Sequence, residues 1–113
     1  MDNRTVLLFT RYGMGDAPAE LQGLLAGKFL SLIDEAGVLP AKMLFYADGV
    51  KLACEGSPVV EQLRALAAKG VELVLCQTCL DYYGLLERVA VGIVGGMPDI
   101  IESMQAADKV ISL

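Results

Sequence analysis

KGVELVLCQTCLDYYGL, Lys69 to Leu85, changes its period halfway along. Val71 to Leu75 is a short, mainly apolar run of the kind that forms a strand buried on both faces of a sheet. Cys76 follows at once. From about Gln77 the residues suit a short helix, and Gly84 stands where a left-handed stop is expected. A strand that runs directly into a helix is half of a βαβ unit, and the same succession recurs on both sides of this stretch.

Upstream, TVLLFT (Thr5 to Thr10) is a second buried-strand run, and RYGMGDAP after it is a turn. The next segment, about Ala19 to Ala36, is helical. Leu21, Leu25, Phe29 and Leu32 recur there at spacings of three and four, with Leu24 and Ile33 beside them, and are expected to face the core. Gly37 and then Pro40 end it. MLFYA (Met43 to Ala47) is another strand, and Asp48-Gly49 reads as a turn. Ser57 and Pro58 have the residue types of a helix N-cap and first helical position. Val59, Leu63 and Leu66 line that helix, which ends near Gly70. Downstream, VAVGIV (Val89 to Val94) is a fourth strand. GGMP turns the chain, and Pro98, Asp99 and Glu102 open a last helix. KVISL (Lys109 to Leu113) is the fifth strand. Strands alternating with helices throughout give an α/β domain with a mostly parallel five-stranded sheet.

Composition narrows the function. A chain of 113 residues is one domain, 1–113, with a single core. Its 55% hydrophobic content exceeds the usual 45–50% or so of soluble domains, which hints at surface buried against another subunit. No run reaches the ~18 apolar residues of a membrane helix, and the first residues lack a signal peptide's long apolar segment. A cytoplasmic protein with no membrane partner is expected. The net charge of -5, with no cluster of Lys and Arg, argues against a nucleic-acid partner. There is no histidine, which excludes Ser-His and Cys-His catalysis and every histidine-containing metal site.

Three cysteines remain: Cys54, Cys76 and Cys79. In a reducing compartment a CxxC pair points to redox, sulfur or metal chemistry. Cys76 stands where a strand ends and a helix begins, a place that favours a thiolate, and Cys79 lies one turn on, where it can resolve a bond formed on the first sulfur. Against this, free cysteines often serve as small apolar filler. A closed zinc site needs four ligands, which one chain supplies only with Asp48, Asp81 or a second subunit's pair. A thioredoxin-type site lacks the usual Trp before the pair.

In a parallel sheet, ligands gather at the carboxyl ends of the strands. GMGD (Gly13 to Asp16), Asp48 to Gly56, Cys76 to Cys79 and GGM (Gly95 to Met97) are all expected there, so the three thiols could share a cleft. GMGD does not make a dinucleotide fingerprint and reads first as a turn into a helix, as GGM reads first as a turn. Tyr82 and Tyr83 could cover the site or simply pack. Asp48 and Asp81 could hold a proton near the thiols or be solvated acids.

GVKLACEGSPVVEQL, KGVELVLCQTCLDYYGL and VGIVGGMPDIIESMQAADKVISL together resemble the C-terminal domain of YedF-type proteins, sulfurtransferase-like proteins of selenium metabolism in the DsrE/F/H-like superfamily. The family commonly has CGTC where this chain has Cys76-Gln77-Thr78-Cys79, and an Asn-Met turn in place of Gly96-Met97. Its members also carry a SirA/TusA-like carrier domain ahead of this one, so the resemblance implies a separate carrier protein as partner. It further implies a three-layer α/β/α sandwich, assembly into homo-oligomers (dimers, trimers or hexamers), and persulfide transfer. The acceptor cysteine of the sulfur-relay members stands about eight residues before a helix-ending glycine, and Cys76 with Gly84 keeps that spacing.

The sequence therefore reads as a sulfur-relay protein with enzyme-like transfer chemistry. Cys76 is the persulfide acceptor and Cys79 the resolving thiol, with Cys54, Gly15, Asp48 and Met97 at the rim and neither cofactor nor metal required. The alternative is a non-catalytic, oligomeric interaction subunit whose thiols are structural or bridge a metal between chains.

Overall fold

A computed structural model describes residues 1–2 and 4–113. Strands and α-helices alternate through it: β1 (Thr5–Phe9), α1 (Ala19–Ala36), β2 (Lys42–Phe45), α2 (Val60–Ala68), β3 (Glu72–Cys76), α3 (Gln77–Tyr82), β4 (Ile93–Gly95), α4 (Met97–Ala106) and β5 (Lys109–Ser112). The sheet has the order β4-β3-β2-β1-β5, and every neighbouring pair is parallel. This is the α/β fold expected from the alternation.

Handedness distributes the helices. The crossovers from β1 through β4 all step in one direction, so right-handed connections put α1 and α2 on one face, where they touch. The return from β4 to β5 runs the other way, and α4 crosses the opposite face. There Lys42 Nζ lies 3.2 Å from Ser103 Oγ of α4 and 3.6 Å from Glu72. Strand residues of the other parity build the core toward α1 and α2. In-register Phe9 and Phe45 stack at 5.4 Å, with Leu7, Met43, Leu73 and Leu75 buried beside them.

Most element limits follow the sequence reading. Gly37 and Gly84 end α1 and the α3 segment in left-handed conformations, at φ 67° and 68°. Ser57 Oγ accepts the Val59 N–H at 3.2 Å as a cap would, although α2 proper begins at Val60, two residues beyond Pro58.

Three expectations are corrected. First, the core-facing residues of α1 are Ala26, Leu30 and Ile33, with half-buried Phe29 packed against them. Leu21, Leu24, Leu25 and Leu32 are on the outside. Second, the fourth strand does not begin at Val89. Val89 and Ala90 are held in an antiparallel contact with Ala53 and Cys54, and Gly92 sits at φ 93°, tight against Leu73 and Leu75, so pairing with β3 starts only at Ile93. Third, the Asp48-Gly49 turn is the start of a seven-residue 3-10 segment, Ala47–Ala53.

Gly49 is what lets that segment lie on the sheet. A Cβ there would sit 2.0 Å from the Phe9 carbonyl oxygen and 2.6 Å from its carbon. The obstacle is the close approach itself, because the residue's φ is one that any amino acid adopts.

Candidate functional site

The thiol pair is built from one junction. Cys76 is the last residue of β3 and the residue before α3, so its backbone is still extended (φ -64°, ψ 119°) while the next turn is already helical. Cys79 lies one turn on, and its sulfur comes close enough to Cys76 to feel it. All three cysteines are reduced.

Their accessibilities differ. Cys76 is 1% exposed and Cys54 2%, whereas Cys79 is half-buried. Cys76 is therefore the inner thiol of the pair and Cys79 the outer one. α3 is only six residues long, so it contributes a short dipole at best.

The loop after β2 completes the site. Ala47 has φ 51°, a left-handed conformation that a residue with a Cβ adopts at a cost, and its N–H donates to Cys79 Sγ at 3.1 Å. Burial pushes the Cys79 thiol above its ordinary value, and the neighbouring Cys76 adds to the rise, while the Ala47 N–H works against both.

Beside Ala47, Asp48 has two partners. Tyr83 donates its hydroxyl to Asp48 Oδ1 at 2.7 Å, and Lys51 Nζ lies 2.9 Å from the same oxygen and 4.3 Å from the Tyr83 ring centroid. The Tyr83 hydroxyl, then Lys51, hold the Asp48 carboxyl below the usual carboxylate range, and Asp48 in turn raises the Tyr83 phenol. These contacts tie the 3-10 segment to the end of α3. Tyr82, 84% exposed, packs edge-on against Tyr83 and otherwise faces outward.

Cys54 belongs to the same sheet edge, but to a different hollow. It donates to the Val50 carbonyl at 3.2 Å, and burial, then Glu55, pushes its thiol up. With Tyr12, Lys51, Glu55, Tyr83 and Leu85 it lines a cavity of about 390 Å³ that neither Cys76 nor Cys79 lines. The expected common cleft for three thiols is thus not found among the described residues. Among the described residues, no group of three or more Cys, Asp or Glu side chains is placed to hold a metal ion.

The remaining rim residues are more distant in role. Gly15 (φ 80°) is exposed and accepts the Gln22 side-chain amide on its carbonyl at 2.7 Å, so GMGD is a turn clamped onto α1. Met97 is the exposed first residue of α4, whose start is held by the Asp99 carboxylate accepting the Gly96 N–H at 2.8 Å. A second cavity, about 470 Å³, lies between α4 and the sheet around Lys42, Glu72 and Asp99, and contains no cysteine. The sequence reading missed Ala47 and Lys51. No residue type marks a strained alanine amide, and Lys51 gains its place only through Asp48 and Tyr83.

The model of the DsrE/DsrF-like family matches residues 6–113. The chain belongs to the DsrE/DsrF-like family. Among solved structures, this DsrE/DsrF-like chain is similar to the YchN protein from E. coli at 19% identity and a TM-score of 0.70, over 97% of this chain and 99% of that one. It is also similar to MTH1491 from Methanobacterium thermoautotrophicum, a protein of unknown function, at 18% identity and a TM-score of 0.72, over 99% and 100% of the two chains. BT1422 from Bacteroides thetaiotaomicron, likewise of unknown function, is similar at 14% identity and a TM-score of 0.69, over 98% and 96%. At these identities the likeness is one of fold. No curated protein matches the chain. Among the described residues of this DsrE/DsrF-like chain, no helix is long and apolar enough to cross a membrane.

Proposed function

We propose that this chain relays sulfane sulfur as a persulfide on the Cys76–Cys79 pair. The observation that carries the reading is the pairing of a sealed thiol with a half-open one at the end of β3, with a backbone N–H on the outer sulfur. The Cys76 thiolate attacks the outer sulfur of a donor hydropersulfide. A Cys76 Sγ–S bond forms, the donor's S–S bond breaks, and the donor leaves as its thiolate. The sulfur then passes to an acceptor thiolate by the same exchange. Alternatively, the Cys79 thiolate attacks Cys76 Sγ, releasing hydrosulfide and closing a disulfide that an external dithiol reductant reopens.

Burial of Cys76 supports storage, since bulk thiols do not reach the persulfide, and movement of Cys79 is what opens it. The acceptor is a small carrier protein of the SirA/TusA type, and the compartment is the reducing cytoplasm. The YedF-like resemblance of the CxxC segment extends the proposal to selenium, which the same thiolate would accept. Cys54, in its separate hollow, stays outside the exchange.

The test is intact mass after treatment with a sulfane-sulfur donor, repeated with a selenium donor. The expected result is an adduct of about 32 Da with the sulfur donor, or about 79 Da with the selenium donor, that Cys76→Ser abolishes and that lives longer in Cys79→Ser. No adduct on the native chain, or one that survives Cys76→Ser, defeats the reading. The burial of both Cys54 and Cys76 favours a second reading, an interaction subunit whose thiols are core packing. It predicts no adduct and unchanged assembly in all three Cys→Ser variants.

A further inference from the structure

α1 is apolar on two sides, and only one of them is used. Its inner side, Ala26, Leu30 and Ile33, is buried in the core. Its outer side carries Leu21, Leu24, Leu25 and Leu32 at 45%, 58%, 40% and 61% exposure. A contiguous leucine surface of this kind on one helix is unusual for a chain with no partner. Beside it, Gly23, Gly27 and Ser31 of α1 and Val59 and Gln62 near the start of α2 line an open groove of about 750 Å³.

We propose that this face is a two-fold contact with a second copy of the same chain, α1 against α1, antiparallel, with Leu24 on the axis. The charges set the register. Glu20 and Lys28 are the charged residues of α1 that line the groove, and both are exposed. An axis through Leu24 brings Glu20 of each copy level with Lys28 of the other, twice per dimer. An axis through the middle of the helix, near Lys28, would set that lysine against its own copy. A leucine on the axis with acid level with base on either side of it, all from one operation, is what an isologous contact requires. No residue of the groove belongs to the thiol site, so this inference stands independently of the sulfur chemistry.

The contact is a single helix face with its flanks, at the small end of stable interfaces, so dissociation in the micromolar range, about 1–100 µM, is expected. Sedimentation equilibrium across that range tests it. The native chain should pass from monomer to dimer. Leu24→Glu, which brings two carboxylates together on the axis, should weaken dimerisation by at least about 100-fold. Glu20→Lys and Lys28→Glu should each weaken it by about 3–10-fold, and the double variant should restore native affinity to within about twofold. All three positions are exposed, so circular dichroism should show the variants folded. A chain that stays monomeric at every concentration overturns the proposal. So does a dimer indifferent to Leu24→Glu, or a charge swap that fails to rescue.

Discussion

Replacing Gly49 with alanine tests how the site is attached to the fold. The added Cβ would sit 2.0 Å from the Phe9 carbonyl oxygen, 2.6 Å from its carbon and 3.1 Å from the Thr10 nitrogen. All three are backbone atoms of the strand end, so no side chain can swing away, and the 3-10 segment must lift instead. Lifting it weakens the Tyr46 N–H bond to the same Phe9 oxygen, 3.1 Å long, and carries Ala47 away from Cys79. Overpacking of this kind costs about 1–3 kcal/mol and more when the neighbours are rigid. The stiffer unfolded chain returns about 0.4–1 kcal/mol. The net expectation is a loss of about 1–2 kcal/mol, which at a urea slope of about 1 kcal/mol per molar moves the midpoint down by roughly 1–2 M. Urea unfolding followed by circular dichroism reads the first effect. Amide hydrogen exchange at Tyr46 and Ala47, faster by at least about tenfold, reads the second. A loss under about 1 kcal/mol with both amides unchanged would refute the claim that this close approach holds the loop over the thiols.

Other outcomes follow from the same loop and its neighbours. Ala47→Gly removes a left-handed alanine at an exposed position and should stabilise the chain by about 1 kcal/mol, seen as a higher urea midpoint. In the folded chain iodoacetamide should modify Cys79 before Cys54 or Cys76, and peptide mapping after short exposure shows the order. Because Cys79 is raised by burial and by Cys76, its alkylation should rise with pH later than that of an ordinary thiol. Cys76→Ser should move that profile back toward lower pH. The sign for stability follows: a thiol raised on folding contributes fully below the unfolded thiol's range, and the contribution is lost as pH rises through the folded value. Tyr83→Phe should raise the Asp48 carboxyl toward its ordinary value, and Asp48→Asn should lower the Tyr83 phenol, both read by titration in nuclear magnetic resonance or ultraviolet absorbance.

The fold was legible because its signals are local. Continuous apolar runs marked four of the strands, and Gly37 and Gly84 stopped their segments where left-handed glycines do. The fourth strand was misjudged because Val89 and Ala90 are engaged by Ala53 and Cys54, more than thirty residues earlier in the chain, an attachment that no window of sequence contains. The face of α1 was misjudged for a different reason. Leucines at spacings of three and four fit the core and a partner equally well, and the inner stripe contains a small Ala26 that draws little notice. At the site, the strand–cysteine–helix order could be read directly. The seal over Cys76 and the links from Ala47 to Cys79 and from Tyr83 to Asp48 could not, since they join residues 32 and 35 positions apart.

That distinction bears on how the two thiols divide their work. A CxxC read from spacing alone assigns the reactive role to the first cysteine and makes the second its helper. The folded chain adds a constraint: Cys76 is sealed, while the half-buried Cys79 beside it accepts a hydrogen bond from an amide whose conformation is strained. Strain persists only where the surroundings enforce it, here by the closeness of Gly49 to β1 and by the Asp48–Tyr83–Lys51 contacts. On the proposed reading, loosening any of these frees the Ala47 N–H from Cys79 and is the step that would uncover the inner sulfur. A carrier protein that docks against Tyr82 and Tyr83 would act at the point where these restraints converge. On the proposed reading, passage of the sulfur onward from Cys76 would then be coupled to the arrival of the partner.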